Sequence, residues 1–195
     1  MGKNFYISDL HFGHTNILHF DHRPWLTITE HDKALIDNWN SVVTNEDTVY
    51  IIGDFHWGKE ADWIEVLEQL NGNKVLIKGN HDITPSKSRR YFQDVKDYKE
   101  IDDNGRKVVL CHYPIPYFKN HFYGWYHLYG HVHNTFEYNM VEHQRYLMEE
   151  LYSHPCEMYN CGAMMKWMNH TPKTLDEIIE GYKQYKMINK ERNAL

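Results

Sequence analysis

Aspartate, histidine and asparagine recur in this sequence directly after short apolar stretches. The 195 residues include 15 histidines. Five segments carry the relevant side chains, in this order: Asp9-Leu10-His11, Gly53-Asp54, Gly79-Asn80-His81-Asp82, His112 and Gly130-His131-Val132-His133. Carboxylate, amide and imidazole groups together suit divalent ions such as Mn²⁺, Fe²⁺ or Zn²⁺. The segments predict a metal site with more donors than one ion requires.

Asp54 lies in the middle of this series and is the natural carboxylate to bridge two ions. Two ions about 3.5–4 Å apart can clamp a phosphoryl group and lower the pKa of a shared water toward neutrality. A thiolate site is excluded because Cys111, Cys156 and Cys161 form no Cys-x-x-Cys pair. The expected chemistry is hydrolysis of a phosphate ester at two divalent ions.

Short β-branched stretches precede most of these segments and must position them. Residues 3–9, 48–52, 74–78 and 107–111 predict buried strands of an α/β sheet, whose carboxyl ends gather ligands at one edge. The helices predicted from capping boxes and apolar spacing begin after Thr27 (with Glu30) and after Thr174 (with Glu177), and cover residues 61–70 and 140–152. Residues 82–103 are polar and predict a solvated connection with a short helix.

Composition limits the remaining classes of protein. A chain of this length with 42% hydrophobic residues predicts a single domain over residues 1–195. The formal net charge of −6 argues against general nucleic-acid binding. No apolar run of about 18 residues predicts a membrane span. With no signal-peptide pattern and an odd number of cysteines, a reducing, cytoplasmic location is expected.

The ordered segments resemble the motifs of the calcineurin-like metallophosphoesterases, which read D-x-H, G-D, G-N-H-D/E, H and G-H-x-H. Every block is present between residues 5 and 133. A looser similarity of residues 9–16 and 171–177 is typical of small stand-alone prokaryotic or phage members. The resemblance implies an α/β fold, the four-layer αββα sandwich of two mixed sheets packed face to face between helices.

The resemblance also implies a role for each motif residue. The ligands fall into two sets: Asp9, His11, Asp54 and His133 for one ion, and Asp54, Asn80, His112 and His131 for the other. Mn²⁺ is the first expectation, with Fe, Zn, Ni or Mg as alternatives. A metal-bridging hydroxide would attack phosphorus in line, while His81, which is not a ligand in the family, would act as general acid on the leaving oxygen.

Departures from the family pattern narrow the expected substrate. The protein Ser/Thr phosphatase branch has an aspartate three positions after the bridging one, where this chain has Trp57. We therefore expect a phosphodiester of a small or nucleotide-like molecule. The alternatives are phosphomonoester hydrolysis and a non-catalytic metal-binding scaffold of the same fold, although intact ligands and His81 count against the scaffold. A nuclease subunit has little support from the charge.

Several further residues have two interpretations each. His14 and Asn16 could bind substrate phosphate, or could belong to a turn and a helix cap. His56 could orient a ligand. Arg23 could clamp phosphate, as could Arg89 and Arg90, but solvated surface arginine is the expectation for all three. The aromatic residues of segment 113–129 could stack on a nucleobase, pack against one another within the loop, or form a dimer contact. Packing within the loop is the favoured interpretation. The sequence leaves the oligomeric state open.

Overall fold

Eight strands, five α-helices and two short 3-10 helices are present in residues 2–83 and 85–192, the part of the chain that the computed structural model describes. The strands are β1 (Asn4–Ile7), β2 (Thr48–Ile51), β3 (Asn73–Ile77), β4 (Phe92–Lys96), β5 (Tyr98–Asp103), β6 (Arg106–Cys111), β7 (Tyr126–Tyr129) and β8 (Met158–Asn160). The helices are α1 (Ile17–Phe20), α2 (Ile28–Val42), α3 (Glu60–Leu67), α4 (Phe136–Tyr152) and α5 (Leu175–Arg192).

The strands form two four-stranded sheets, with orders β1-β2-β3-β4 and β5-β6-β7-β8. The predicted α/β fold of two sheets flanked by helices is confirmed. Two mixed sheets were expected, but the pairs among β1 to β4 in the first sheet are all parallel. The second sheet is mixed, since β5 pairs with β6 in antiparallel fashion. A parallel bridge between Ser8 and Gly162 joins the edges of the two sheets.

The core consists of apolar strand residues covered by helices, and the predicted buried strands and the Thr27–Glu30 helix cap are both present. Ile51, Leu76 and Leu110 are fully buried, as strands covered on both faces require. The Thr27–Glu30 capping box is formed, with the Glu30 N–H donating to Thr27 Oγ1 at 3.2 Å and the Thr27 N–H to Glu30 Oε2 at 3.1 Å. The four predicted strands are confirmed, with bounds shifted by up to two residues.

Residues 82–103 were predicted wrongly as a solvated connection. They contain β4 and β5, whereas the predicted short helix is present as a 3-10 helix at Ser88–Tyr91. Both strands lie at the edge of a sheet, so their side chains alternate between partly covered and exposed positions and tolerate polar residues. The polar composition therefore reflects edge strands.

Helix α4 also differs from its prediction. It begins at Phe136, four residues before the predicted start, because Thr135 Oγ1 accepts the Glu137 N–H.

The aromatic segment 113–129 divides between packing and exposure. Phe118 and Tyr129 are buried, whereas Tyr113, Tyr117 and Tyr123 are exposed.

Within the described residues, no helix combines the length and apolarity needed to cross a bilayer. The single domain over residues 1–195 and the cytoplasmic location stay predictions.

His127 in β7 should make the stability of the fold sensitive to acid. It is completely buried; its Nδ1–H donates to Val109 O at 3.1 Å, and its Nε2 accepts the Ile115 N–H at 3.1 Å. Burial lowers the pKa of His127 to about 4. Between that pKa and the unfolded value of about 6.5, the unfolded chain binds a proton that the native state does not. Stability is therefore lost as pH falls through this window, by about 1.4 kcal/mol per pH unit.

His127→Gln keeps one donor and one acceptor but cannot titrate. We expect its free energy of unfolding to fall less steeply than that of the wild type between pH 6.5 and 4.5. Urea unfolding at several pH values measures both slopes. Equal slopes in the two proteins would contradict a neutral, buried His127.

Candidate metal centre

The carboxyl ends of strands from both sheets meet at one site. Asp9 follows β1, Asp54 follows β2, Asn80 follows β3 and His112 follows β6, while His131 and His133 lie in the loop after β7. The Ser8–Gly162 bridge brings the two sets of loops together. Two groups of potential ligand atoms result, each with its atoms within 4.8 Å of one another: Asp9, His11 and His133, and Asp9, Asp54 and His112.

The first group brings three side chains together without strong bonds between them. His11 Nε2 lies 3.3 Å from His133 Nε2, and His133 Nε2 lies 3.6 Å from Asp9 Oδ1. Burial and the neighbouring His133 lower the pKa of His11 to about 2, so its ring is neutral. Two ring nitrogens and a carboxylate oxygen at these separations are a donor set that suits a divalent ion.

The second group is centred on His112. Its Nδ1–H donates to the Ile52 carbonyl at 2.9 Å, which leaves Nε2 as the nitrogen that faces the site. That Nε2 lies 3.2 Å from Asn80 Oδ1 and 3.4 Å from Asp54 Oδ2, both of them acceptors. A positive charge is needed between these three atoms, and either a proton on the ring or a bound cation provides it.

The pKa values in this group express the same requirement for positive charge. Burial lowers the pKa of His112, but the carboxylates of Asp54 and Asp9 outweigh burial and raise it to about 9. Burial raises the pKa of Asp54, whereas His112 and the His81 N–H lower it, to about 2 overall. The residues present therefore fit a cation, and Asn80 also connects this group to His131, whose Nδ1 lies 2.9 Å from Asn80 Oδ1.

The backbone at these ligands is held in an uncommon conformation. Left-handed φ angles occur at Asp9 (54°), His11 (52°), Asp54 (53°), His131 (69°) and His133 (45°). A non-glycine residue in this region costs on the order of 1–3 kcal/mol and persists only where the surrounding structure fixes it. Strain of this kind concentrates at functional sites, and here it coincides with five of the seven predicted ligands.

A family model for calcineurin-like phosphoesterases matches residues 5–185. The chain belongs to this family. An uncharacterised protein of Methanocaldococcus jannaschii is 33% identical over 190 residues, 96% of each chain. The gene 66 protein of Mycobacterium phage D29 is 33% identical over 133 residues, 58% of this chain and 65% of the phage protein. A protein of unknown function from Aquifex aeolicus has a similar structure, with a TM-score of 0.70, 25% identity, and 92% of this chain and 99% of that chain covered.

The glycines of the family motifs are required by close approach. A Cβ atom on Gly130 would lie 1.9 Å from Ser8 Oγ and 2.4 Å from Asp9 Oδ2, and one on Gly79 would lie 2.2 Å from Asp54 Oδ1. Neither glycine has a positive φ, so space alone excludes other residues. The G-N-H-D and G-H-x-H motifs thus place small residues against the two predicted metal-binding carboxylates.

Gly130→Ala is expected to weaken Mn²⁺ binding at least tenfold, because the new methyl group must displace the Asp9 carboxylate. Loss of a group that orients a metal ligand typically lowers metal affinity by about 10- to 100-fold, and Asp9 is itself a proposed ligand. Gly105→Ala is the matched control: nothing lies within 4 Å of its added Cβ, but its φ of +83° makes alanine strained. The control should lose stability and keep its Mn²⁺ affinity in calorimetric titration. Unchanged affinity in Gly130→Ala would contradict the placement of Asp9.

Asp82, the last residue of the G-N-H-D motif, supports the turn that carries Asp54. Its carboxylate accepts the backbone N–H groups of Asp54 (2.8 Å), Phe55 (2.9 Å) and Gly79 (2.8 Å). Burial raises the pKa of this carboxyl group to about 6. No role for Asp82 was predicted from the sequence, although its place in the motif was the available signal.

His81 lies at the exposed side of the centre. Its backbone N–H donates to Asp54 Oδ1 at 3.0 Å, and its ring centroid lies 4.9 Å from that of Trp57 and 5.8 Å from that of His11. The side chain is therefore near the candidate ligands without belonging to either ligand group.

The residues that the sequence suggested less strongly, His14, Asn16 and His56, lie in different surroundings relative to the candidate metal centre. His14 stacks on Trp57 with 4.3 Å between ring centroids and lies 5.4 Å from the His11 ring, so it belongs to the border of the centre. Asn16 is exposed at the start of α1 and makes no side-chain capping bond. His56 is buried with its ring near those of Phe12 and Trp63.

Arg23 was predicted wrongly as a solvated arginine. It is only 5% exposed and donates to the carbonyl oxygens of Asp9 at 2.7 Å and Leu10 at 2.8 Å, directly behind the first metal motif. The two carbonyl groups that it binds lie 13 and 14 residues earlier in the chain, so the residues next to Arg23 do not indicate this contact. Arg89 and Arg90 are exposed, as predicted.

Proposed function

We propose that this chain is a dinuclear-metal-dependent phosphodiesterase acting on a small or nucleotide-like phosphodiester. The observation that carries the proposal is the position of one atom, Asp54 Oδ2. It lies 3.7 Å from His11 Nε2 and 3.4 Å from His112 Nε2, one histidine from each predicted ligand set. A carboxylate oxygen between two such sets is the arrangement that a shared ligand of two ions requires.

The two groups of ligand atoms in the structure have Asp9 in common, and we propose that Asp54, which lies near a histidine of each group, is the carboxylate that the two ion sites share. The proposed ligands are Asp9, His11, Asp54 and His133 for one ion, and Asp54, Asn80, His112 and His131 for the other. When bound, a pair of divalent ions, Mn²⁺ first, would supply positive charge to the phosphoryl oxygens and increase the acidity of a water molecule.

His81 is proposed as the general acid. Its backbone is fixed to the Asp54 carboxylate by the N–H bond at 3.0 Å, whereas its ring is exposed beside Trp57. The main chain is thereby held at the centre while the imidazole can approach the leaving oxygen of a bound ester. Proton donation to that oxygen prevents an unstable alkoxide from leaving with full negative charge.

Two exposed aromatic side chains support a diester with organic groups on both sides of phosphorus. Trp57, 44% exposed, contacts His14 and His81, and Tyr113, also 44% exposed, contacts His112 and His131. Aromatic faces of this kind can stack on bases or other flat groups. Arg23 offers no additional charge to a phosphomonoester dianion, since protein groups take up its guanidinium.

The deciding experiment compares bis-p-nitrophenyl phosphate with p-nitrophenyl phosphate, using protein stripped of metal and then supplied with Mn²⁺. We expect turnover that requires the metal and is faster with the diester. Faster turnover of the monoester would replace this proposal with a phosphomonoesterase. No turnover of either ester with Mn²⁺, Fe²⁺, Zn²⁺, Ni²⁺ or Mg²⁺ would contradict an enzyme for such esters and favour the non-catalytic scaffold.

A further inference from the structure

Arg23 is buried behind the metal centre with every N–H group of its guanidinium satisfied. Nε and Nη2 donate to Asp21 Oδ2 at 3.1 and 2.8 Å, and Nη2 also donates to Asp9 O at 2.7 Å. Nη1 donates to Leu10 O at 2.8 Å and to His31 Nε2 at 2.6 Å. An arginine has five N–H donors, so none remains for a substrate phosphate.

These bonds hold the backbone that presents the first two ligands. Asp9 and His11 both have left-handed φ angles, and the carbonyl groups of Asp9 and Leu10 between them are fixed by Arg23. A strained turn needs such external support to keep its conformation. Arg23 provides that support from outside the motif.

Asp21 extends the same contact to a third candidate ligand. Its Oδ2 accepts from Arg23, while its Oδ1 accepts the Nδ1–H of His133 at 2.7 Å. With the proton on Nδ1, the lone pair of His133 is on Nε2, the atom near His11 and Asp9. A carboxylate that binds the far nitrogen of a metal-binding histidine fixes both its tautomer and its ring orientation.

The network is anchored at its other end to helix α2. His31 accepts from Arg23 through Nε2 and donates Nδ1–H to Asp32 Oδ1 at 2.7 Å. Asp32 Oδ2 in turn accepts the Gly13 N–H at 3.0 Å, just after the first metal motif. The hydrogen bonds therefore run from Asp9 through Arg23 to His31 and Asp32 on α2, and from there to Gly13, two residues after the motif.

We propose that Asp21 and Arg23 are positioning residues that pre-form the His133 side of the metal centre. Asp21 sets the tautomer and direction of His133, and Arg23 holds both Asp21 and the turn from Asp9 to His11. The inference rests on the proposed function for the identity of the ligands, but its experiment needs no substrate.

The experiment measures Mn²⁺ binding to the full chain by titration calorimetry and by the electron paramagnetic resonance signal of free Mn²⁺. Asp21→Ala should weaken one of two sites by about 10- to 100-fold and leave the other unchanged. Asp21→Asn keeps an oxygen for His133 but removes the charge that pairs with Arg23, so a smaller loss is expected. If the alanine variant does not fold, the asparagine variant carries the comparison.

Asp47→Ala is the matched control, because Asp47 is also a buried carboxylate, 6% exposed, and accepts the Lys3 and Thr44 N–H groups away from the metal motifs. It should lower stability and leave Mn²⁺ affinity unchanged. Wild-type affinity in both Asp21 variants, or equal weakening in Asp47→Ala, would overturn the proposal.

A second readout needs no metal. In ¹⁵N nuclear magnetic resonance spectra of the metal-free wild type, recorded at a pH at which the His133 ring is neutral, His133 should be protonated at Nδ1 alone, and Asp21→Ala should shift it toward the other tautomer. An unchanged tautomer would also overturn the proposal. Because neither readout uses an ester, an inactive wild type that passes both would contradict the proposed function alone.

Discussion

Asp54→Asn is expected to reduce kcat for bis-p-nitrophenyl phosphate by about 1000-fold or more, which corresponds to roughly 4 kcal/mol in the barrier. One oxygen of Asp54 accepts the His81 N–H, and the other lies between His11 and His112. An asparagine that keeps the first bond places its NH₂ group at the second position. That group cannot bind a cation, so the charge and the shared ligand are lost together.

Titration of Asp54→Asn with Mn²⁺ should show the loss of at least one ion per chain, which separates a metal effect from an effect on turnover. Asp102→Asn is a suitable control, since Asp102 is an exposed carboxylate on β5 paired with Lys107. It should retain wild-type turnover. An Asp54→Asn variant with more than a tenth of wild-type kcat would contradict the central position of Asp54.

His81→Gln is expected to lower kcat by an amount that depends on the leaving group. Nitrophenolate is stable as an anion and needs little help from an acid, so the loss with bis-p-nitrophenyl phosphate should be small. An alkoxide needs the proton, and general acid catalysis typically contributes about 10²- to 10⁴-fold. The measurement is kcat for a series of diesters with leaving groups of increasing pKa, which should fall more steeply for the variant.

Mn²⁺ affinity should be unchanged in His81→Gln, because His81 belongs to neither ligand group. His143→Gln, an exposed histidine on α4, serves as the control and should follow the wild-type series. An equal loss for every leaving group would contradict a proton donor. Such a result would assign His81 to holding the Asp54 turn or the substrate.

The metal motifs could be predicted from the sequence because each of them is local. A buried strand followed by Asp9-Leu10-His11 or Gly53-Asp54 specifies both the edge of the sheet and the donor, and parallel strands bring those edges together. The order of the motifs indicated the family, the resemblance to that family implied the two-sheet fold, and both are confirmed. The roles assigned to the individual ligands stay predictions.

The supporting role of Asp21 and Arg23 could not be predicted, since the motif groups that they bind are distant in the chain. Asp21 binds a histidine 112 residues away, and Arg23 looked like any arginine in a polar turn. Strands β4 and β5 were missed for a related reason, because an edge strand with one partly covered face has no continuous apolar run. The local pattern of apolar and polar residues indicates which side chains of a segment are buried. It contains no information on which distant groups those side chains contact.

The proposed ligands are divided between the two sheets, with Asp9, Asp54 and Asn80 after strands of the first and His112 and His131 after strands of the second. Ions held by both sets would act as a non-covalent cross-link between two halves of the molecule. Occupancy of one such site would then stabilise the native state by about 2.7 kcal/mol at a free concentration of 100 times Kd. The same contacts that we propose to act on a phosphate ester would make the stability of the protein depend on the supply of metal.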